Sequence, residues 1–104
     1  MGGERKGKMI DEEALRRVCQ VALEFWGLDF QIDMMLEEMS ELASELLKTR
    51  RGRGSREAVA EEIADCELML FQMKLSFGEA AVERIKEEKL ARLKERILKA
   101  AKVT

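Results

Sequence analysis

The chain has 104 residues, of which 46% are hydrophobic and 38% charged, with no proline and a formal net charge of −2. This length suits one domain, and the composition excludes a disordered chain and favours a helix-rich folded protein. The nearly balanced charge creates no general field towards nucleic acid or an anionic membrane, and we expect neither as a partner.

The N-terminal segment 1–8 is polar and glycine-rich, and no apolar stretch long enough for a signal peptide or a membrane span follows it. We therefore expect a disordered tail at residues 1–8 and a helical domain over residues 9–104. Cys19 and Cys66 both fall on apolar helix faces, which favours buried thiols over a disulfide and predicts a reducing, cytoplasmic location.

Two helices are predicted in the first half of the chain. The first covers about residues 11–26, with Asp11 as its N-cap and Gly27 as the residue that ends it. The second covers about residues 29–49, with apolar side chains at helical spacing along one side. Together these two segments supply the first half of an all-α domain.

A basic connection separates them from two further helices and contains Arg50, Arg51, Arg53 and Arg56. It could bind phosphate, since its glycines allow close approach of the backbone. A solvated turn that complements the dipole of the preceding helix is favoured. No aromatic residue alternates with these arginines, so the stacking expected of a nucleic-acid site is absent.

The third helix follows an N-cap at Ser55 and reaches Phe77, where Gly78 ends it, and the fourth covers about residues 79–100. No strand pattern competes with these four segments. The sequence therefore predicts an all-α fold class, a four-helix bundle-like single domain.

The third helix carries two apolar arcs instead of one. The first arc is formed by Val59, Ile63, Cys66, Leu70, Met73 and Phe77, and the second by Ala64, Leu68, Phe71 and Leu75. A small isolated bundle needs one buried stripe per helix, so a second arc predicts packing against a partner subunit. We expect a homodimer or homotetramer, with a crowded monomeric bundle as the alternative.

Two short acidic clusters, Glu37–Glu41 and Glu62–Asp65, lie about 20 residues apart on the second and third helices. Each places carboxylates three or four positions apart, on one side of a helix. At about 4 Å such a pair repels by roughly 4 kcal/mol at an effective dielectric constant near 20. A divalent cation between the helices would relieve this repulsion, and oxygen ligands without histidine favour Mg²⁺, with Mn²⁺ also possible.

The alternative to a metal site is a solvated acidic face whose members pair with lysines one turn away. The residues four positions after Glu37 and Glu41 are themselves acidic, namely Glu41 and Glu45, and the residue four positions after Glu61 is Asp65. The alternative therefore explains little of the pattern.

The pattern EExxE, followed after about 20 residues by ExxD, resembles that of the MazG-like all-α nucleoside triphosphate pyrophosphohydrolases over about residues 33–73. The resemblance implies a Mg²⁺-dependent enzyme, a dimer or tetramer, that cleaves an NTP or dNTP between the α- and β-phosphates to NMP and pyrophosphate. It implies that Glu37 orients or deprotonates the attacking water. It also implies four metal ligands: Glu38, Glu41, Glu62 and Asp65.

Basic residues on the fourth helix are candidates for phosphate binding. Lys89, Arg92 and Arg96 lie within an arc of about 60°, where fixed cations and guanidinium groups could hold the β- and γ-phosphates. The alternative is ordinary solvation with ion pairs to Glu88 and Glu95 one turn away.

Trp26, the single tryptophan, lies beside a chain reversal and ahead of the acidic helix, so it could stack on a nucleobase. Core packing is the commoner role for such a residue. Phe30 and Gln31 are similar candidates, and Met34 lies on the acidic side of its helix.

These observations favour a Mg²⁺-dependent nucleotide pyrophosphohydrolase that cleans or regulates the nucleotide pool. One alternative is phosphoribosyl-ATP pyrophosphohydrolase on the same scaffold, and the basic fourth helix argues for the general triphosphatase instead. The other alternative is a non-catalytic helical interaction module, which would bind no metal at the acidic clusters.

Overall fold

A computed structural model describes residues 10–103, and the tail predicted for residues 1–8 lies outside them. Residues 10–103 form four α-helices and no strand: α1 (Glu12–Trp26), α2 (Leu28–Arg50), α3 (Arg56–Phe77) and α4 (Glu79–Val103). The all-α class with four helices is therefore confirmed over this range, as expected for a helical bundle.

Two predicted N-caps are confirmed by their hydrogen bonds. The carboxylate of Asp11 accepts a bond of 3.0 Å from the backbone N–H of Glu13 at the start of α1. The hydroxyl of Ser55 accepts a bond of 3.1 Å from the backbone N–H of Ala58 at the start of α3. Each cap satisfies a backbone donor that the first helical turn cannot.

Gly27 is the single residue between α1 and α2 and has φ 90° and ψ 154°. Its N–H donates to the carbonyl of Leu23 at 2.8 Å, and its own carbonyl accepts from the N–H of Gln31 at 3.1 Å. The positive φ suits glycine because a side chain would be strained there. One residue therefore ends α1, as predicted, and begins α2.

The basic connection between α2 and α3 forms a compact turn. The N–H of Arg51 bonds to the carbonyls of Leu47 and Lys48, and the N–H of Arg53 donates to the Lys48 carbonyl at 2.8 Å. These bonds satisfy carbonyl groups at the end of α2. The local structure favours the turn interpretation.

The chain divides into two compact units between Met73 and Lys74. The first contains α1, α2 and most of α3, and the second contains the end of α3 and α4. In the second unit, the ammonium of Lys74 pairs with Glu83, and that of Lys86 lies 3.5 Å from the same carboxylate. The assignment of residues 9–104 to one domain stays a prediction.

In the first unit, the centre of the core lies between α2 and α3, where Met35 packs with Cys66 and Met69. The thiol of Cys66 lies 3.4 Å from the backbone carbonyl of Glu38, and that of Cys19 on α1 lies 4.0 Å from the carbonyl of Leu68. Both cysteines are free and buried, which confirms the prediction of buried thiols. Burial also raises the pKa of both thiols.

The buried side of α3 passes through Cys66, Met69 and Gln72, and of these only Cys66 belongs to a predicted apolar arc. Positions three apart differ by about 60° around a helix, so these three side chains form one buried side. This buried side lies between the two predicted arcs. Neither arc by itself is the packing side, which corrects the arrangement expected from the sequence.

Large apolar side chains stay exposed on neighbouring parts of α2 and α3. We refer to six of them as the α2/α3 apolar face: Leu36, Met39, Leu46, Leu47, Ile63 and Leu70. They retain between 42% and 57% of their full exposure.

Over the described residues, no helix combines the length and apolar character needed to cross a membrane.

Candidate functional site

Three predicted metal ligands converge in the structure. Glu38 and Glu41 on α2 and Glu62 on α3 each offer one carboxylate oxygen, and these three oxygens lie within 4.8 Å of one another. Glu38 follows the buried Met35 by one turn, and Glu62 precedes the buried Cys66 by one turn. The packing of these core neighbours therefore brings the two carboxylates to the line where α2 meets α3.

Two oxygens in this cluster are buried without a hydrogen-bond partner, and these are Oε1 of Glu38 and Oε1 of Glu62. A buried polar atom without a partner is unfavourable, and native proteins contain few of them. A carboxylate accepts hydrogen bonds but cannot donate one, so neither oxygen can satisfy the other while both groups are ionised. A cation between them would satisfy both.

The same crowding changes the acidity of both groups. Burial, and then repulsion from neighbouring carboxylates led by Asp65 and Glu41, raises the pKa of Glu38 above its usual 4.5. Burial, followed by repulsion from Glu41 and Asp65, likewise raises the pKa of Glu62. These shifts are the opposite of those that a cationic partner would produce.

Within residues 10–103, the ion pairs lie elsewhere. Lys48 pairs with Glu45 at 3.1 Å, one turn after Glu41, and the remaining pairs join Lys74 and Lys86 to Glu83. No lysine or arginine among the described residues therefore neutralises the three converging carboxylates by an ion pair.

Asp65 and Glu37 lie around this group of three. Asp65 does not contribute to the set of oxygens within 4.8 Å, but its charge acts on both Glu38 and Glu62. Glu37 is exposed and also contributes to the raised pKa of Glu38. The structure thus groups three of the four predicted ligands, with the fourth nearby, and the catalytic role of Glu37 stays a prediction.

A pocket of about 390 Å³ adjoins the cluster, and Glu38 and Asp65 form part of its wall. The rest of the wall comes from α1, α2 and α3, through Ala22, Trp26, Phe30, Gln31, Met34, Leu68, Met69 and Gln72. The pocket is therefore acidic at one end and mostly apolar elsewhere, as in many small-molecule sites.

The candidates Trp26, Phe30, Gln31 and Met34 all line this pocket. The ring centroids of Trp26 and Phe30 are 6.4 Å apart with an interplanar angle of 30°. Trp26 also makes an edge-on contact of 5.2 Å with Phe25. With 54% of its surface exposed, Trp26 is not a core residue, so the favoured alternative of core packing is wrong.

Gln72 was missed by the analysis of the sequence. It is buried, and its side-chain carbonyl accepts a hydrogen bond of 2.5 Å from the Nε2 of Gln31. It lies seven residues after Asp65 on the same side of α3, but a glutamine at that position gives no signal in the sequence until its partner is known.

The basic candidates lie on α4, in the second compact unit. Lys89, Arg92 and Arg96 are all exposed. Their side chains are thus available to a ligand, and their predicted role in phosphate binding stays a prediction.

Chemically, the first unit combines a hard-ion ligand set with a pocket that suits a flat organic group. Three carboxylates fit Mg²⁺ or Mn²⁺, which prefer oxygen ligands. Comparison of the chain with models of protein families, with curated proteins and with solved structures finds no match.

Proposed function

We propose that this protein is a Mg²⁺-dependent nucleoside triphosphate pyrophosphohydrolase, which cleaves between the α- and β-phosphates to release NMP and pyrophosphate. The observation that carries the proposal is the pair of buried, unpartnered oxygens of Glu38 and Glu62, which lie in a cluster of three carboxylates beside a pocket. A cation bound between them would give both oxygens a partner, and this supports the proposal.

Glu38, Glu41 and Glu62 would hold the cation, with Asp65 completing or orienting the set. When bound, Mg²⁺ would neutralise negative charge on the triphosphate and polarise its phosphoryl oxygens. A bound cation is essential to this arrangement because the acidic end of the pocket would otherwise repel a triphosphate.

Glu37 would act as the general base, since it is exposed beside Glu38 and its carboxylate is not one of the three grouped ligands. It would accept a proton from the water that attacks the α-phosphorus. Lys89, Arg92 and Arg96 would bind the β- and γ-phosphates through charge-assisted hydrogen bonds.

The direct test measures metal binding and catalysis in the same variants. Glu41→Gln and Glu62→Gln keep the side-chain volume and remove one ligand charge each, while Glu67→Gln is the matched control on an exposed position of α3. We expect calorimetry to show loss of Mg²⁺ binding in both site variants, and pyrophosphate release from a panel of NTPs and dNTPs to fall at least a hundredfold.

The control should keep both properties. Full turnover by both site variants would contradict the proposed metal site. A wild-type protein that binds neither Mg²⁺ nor Mn²⁺ and releases no pyrophosphate would instead favour the non-catalytic interaction module.

We also propose that the protein forms a homodimer or homotetramer through the α2/α3 apolar face. Six large apolar side chains of α2 and α3 remain exposed there, and exposed apolar surface on adjacent helices supports an interaction surface. Cyclic oligomers commonly bury such a patch against its own copy.

Leu46→Glu and Leu70→Glu should each convert the oligomer to a monomer in sedimentation at micromolar concentration. Val18→Glu, at an exposed apolar position of α1, is the matched control and should leave the oligomer intact. A monomeric wild-type protein under the same conditions would contradict this part of the proposal.

A further inference from the structure

The pocket contains two buried amide side chains, which is unusual for a small helical core. Gln31 retains 4% of its exposure and Gln72 retains 7%, and they are the buried polar side chains of the described residues. Their hydrogen bond, from Nε2 of Gln31 to Oε1 of Gln72, measures 2.5 Å. Both residues line the pocket that adjoins the three carboxylates through Glu38.

This pair leaves hydrogen-bonding capacity unused. A primary amide has two N–H donors and a carbonyl oxygen that accepts two bonds. Among the described residues, the Gln31 side chain makes the one bond to Gln72, and Nε2 of Gln72 adds a contact of 3.7 Å to the sulfur of Met69. Because a thioether is a weak acceptor, one acceptor and at least one donor are left for a ligand.

The rest of the pocket suits a flat ring. Trp26 and Phe30 present aromatic surfaces inclined by 30° to each other, and the sulfur-containing side chains of Met34 and Met69 add polarizable surface. A nucleobase matches this arrangement, since it has an apolar face for stacking and an edge with adjacent donors and acceptors.

The mutual hydrogen bond also fixes the orientation of the amides. If the Gln31 amide alone rotated by half a turn, its carbonyl oxygen would face the carbonyl oxygen of Gln72, and the buried bond would be replaced by repulsion. A joint rotation of both amides would keep a bond between them but would lose the contact of 3.7 Å from Nε2 of Gln72 to the sulfur of Met69. The structure therefore favours one order of the free donor and acceptor.

We propose that the Gln31–Gln72 pair selects the nucleobase by the order of donor and acceptor on its edge. Gln31 contacts the base, and Gln72 is a positioning residue that prevents the Gln31 amide from rotating. The inference rests on the proposed function and deepens it, because it assigns the pocket beside the carboxylates to the base of the same triphosphate.

Uracil and cytosine provide a matched pair of ligands, as do hypoxanthine and adenine. Within each pair the ring size is the same, but a ring N–H beside a carbonyl in the first base is replaced by a ring nitrogen beside an amino group in the second. We expect the wild-type protein to prefer UTP over CTP, or CTP over UTP, by tenfold or more in kcat/KM. The preference between ITP and ATP should favour the same order of donor and acceptor.

Two variants separate contact from positioning. Gln72→Leu frees the Gln31 amide to rotate. The ratios of kcat/KM for UTP to CTP and for ITP to ATP should both fall to within about threefold of unity. The value of kcat/KM for the better base of each pair should change by a smaller factor than the ratio does. Gln31→Leu removes the contact and should raise KM for all bases. The double variant Gln31→Leu/Gln72→Leu leaves no unpaired amide, and Gln20→Leu is the exposed control on α1.

Thermal unfolding identifies variants that fail to fold, and the double variant then takes the place of either single one, with the same loss of base preference expected. Ratios near unity in the wild-type protein, opposite orders in the two pairs, or an unchanged ratio in folded Gln72→Leu would each overturn the proposal.

Base selection can be measured separately from triphosphate hydrolysis. Trp26 is the single tryptophan, so its fluorescence reports on ligands in the pocket. Quenching by UMP and CMP without metal, with a preference that Gln72→Leu abolishes, would support base selection even if no triphosphate were hydrolysed. Hydrolysis without a preference between bases would overturn base selection and leave the proposed function intact, and absence of both hydrolysis and quenching would overturn both.

Discussion

The thiol of Cys66 on α3 donates to the backbone carbonyl of Glu38 on α2 across 3.4 Å. Glu38 is a carboxylate of the acidic cluster, and Cys66 follows Glu62 by one helical turn. The contact therefore joins the two helices where their carboxylates converge. Side chains of the core and of the candidate metal site share this line of contact.

A larger side chain at Cys66 should disturb the metal site without touching any ligand. Cys66→Leu overpacks the α2–α3 contact, which we expect to reduce the free energy of unfolding by about 1–3 kcal/mol. It should also separate Glu62 from Glu38 and weaken Mg²⁺ binding in calorimetry. Ala64→Leu, on an exposed position of the same helix, should do neither. Unchanged metal affinity in a destabilised Cys66→Leu protein would contradict the link between core and site.

The stability of the metal-free protein should decrease with rising pH above the usual carboxyl pKa of 4.5. The raised pKa values of Glu38 and Glu62 mean that the folded state retains protons there that the unfolded state has lost. Stability therefore falls as pH rises through the folded-state values. Urea unfolding at pH 5 and pH 8, with and without Mg²⁺, should show this fall and its reversal by the metal.

Glu83 provides the internal comparison for this measurement. Its hydrogen bond and ion pair with Lys74 lower its pKa. Its contribution to the stability of the folded protein is therefore complete above pH 4.5 and is lost as the pH falls below that value. The double variant Glu38→Gln/Glu62→Gln should remove the slope of the unfolding free energy against pH above pH 4.5. Glu83→Gln should leave that slope unchanged. A slope that persists in the double variant would show that other groups cause it.

The basic residues of α4 should affect all triphosphates equally. Arg92→Ala and Arg96→Ala should each weaken binding of every substrate by a similar factor, about tenfold to a hundredfold, because charged hydrogen bonds to phosphate contribute roughly 1.5–3 kcal/mol irrespective of the base. Higher ionic strength should weaken binding less in these variants than in the wild-type protein. Lys102→Ala is the control at another exposed basic position of α4. A changed ratio between UTP and CTP would exclude a pure phosphate contact.

The single residue between α1 and α2 should matter for both stability and ligand binding. A Cβ at Gly27 would meet no atom within 4 Å, so Gly27→Ala isolates the backbone strain at φ 90°, which should cost about 1–2 kcal/mol. Gly52→Ala, with φ 78° and equally open space, should lose similar stability. Only Gly27→Ala should also weaken quenching of Trp26 by nucleotides, and equal effects on quenching would contradict the role of this junction.

The sequence alone predicted the helices well because their ends are determined locally. Asp11 and Ser55 supply side-chain caps, and Gly27 and Gly78 take positive φ values where helices end. Such signals act over a few residues and need no knowledge of the tertiary structure.

The candidate site was predicted in part, for a related reason. Glu38, Glu41 and Glu62 could be identified because their charges conflict with helix stability at short spacing, which is visible in the sequence. Gln72 could not be recognised in the same way, since a glutamine on a helix is ordinary until its partner is known. Gln31 lies 41 positions away, and only the packing of α2 on α3 brings the two amides together.

The one-residue junction at Gly27 also limits how such a pocket can change during evolution. Trp26 lies immediately before the junction, and Phe30 and Gln31 follow it within a single helical turn. No loop therefore separates these three pocket-lining residues. A loop of variable length could widen or narrow a binding site by insertion or deletion, but here either would displace a whole helix. We therefore expect related proteins with other ligands to have exchanged individual side chains around this pocket while keeping the length of the junction constant.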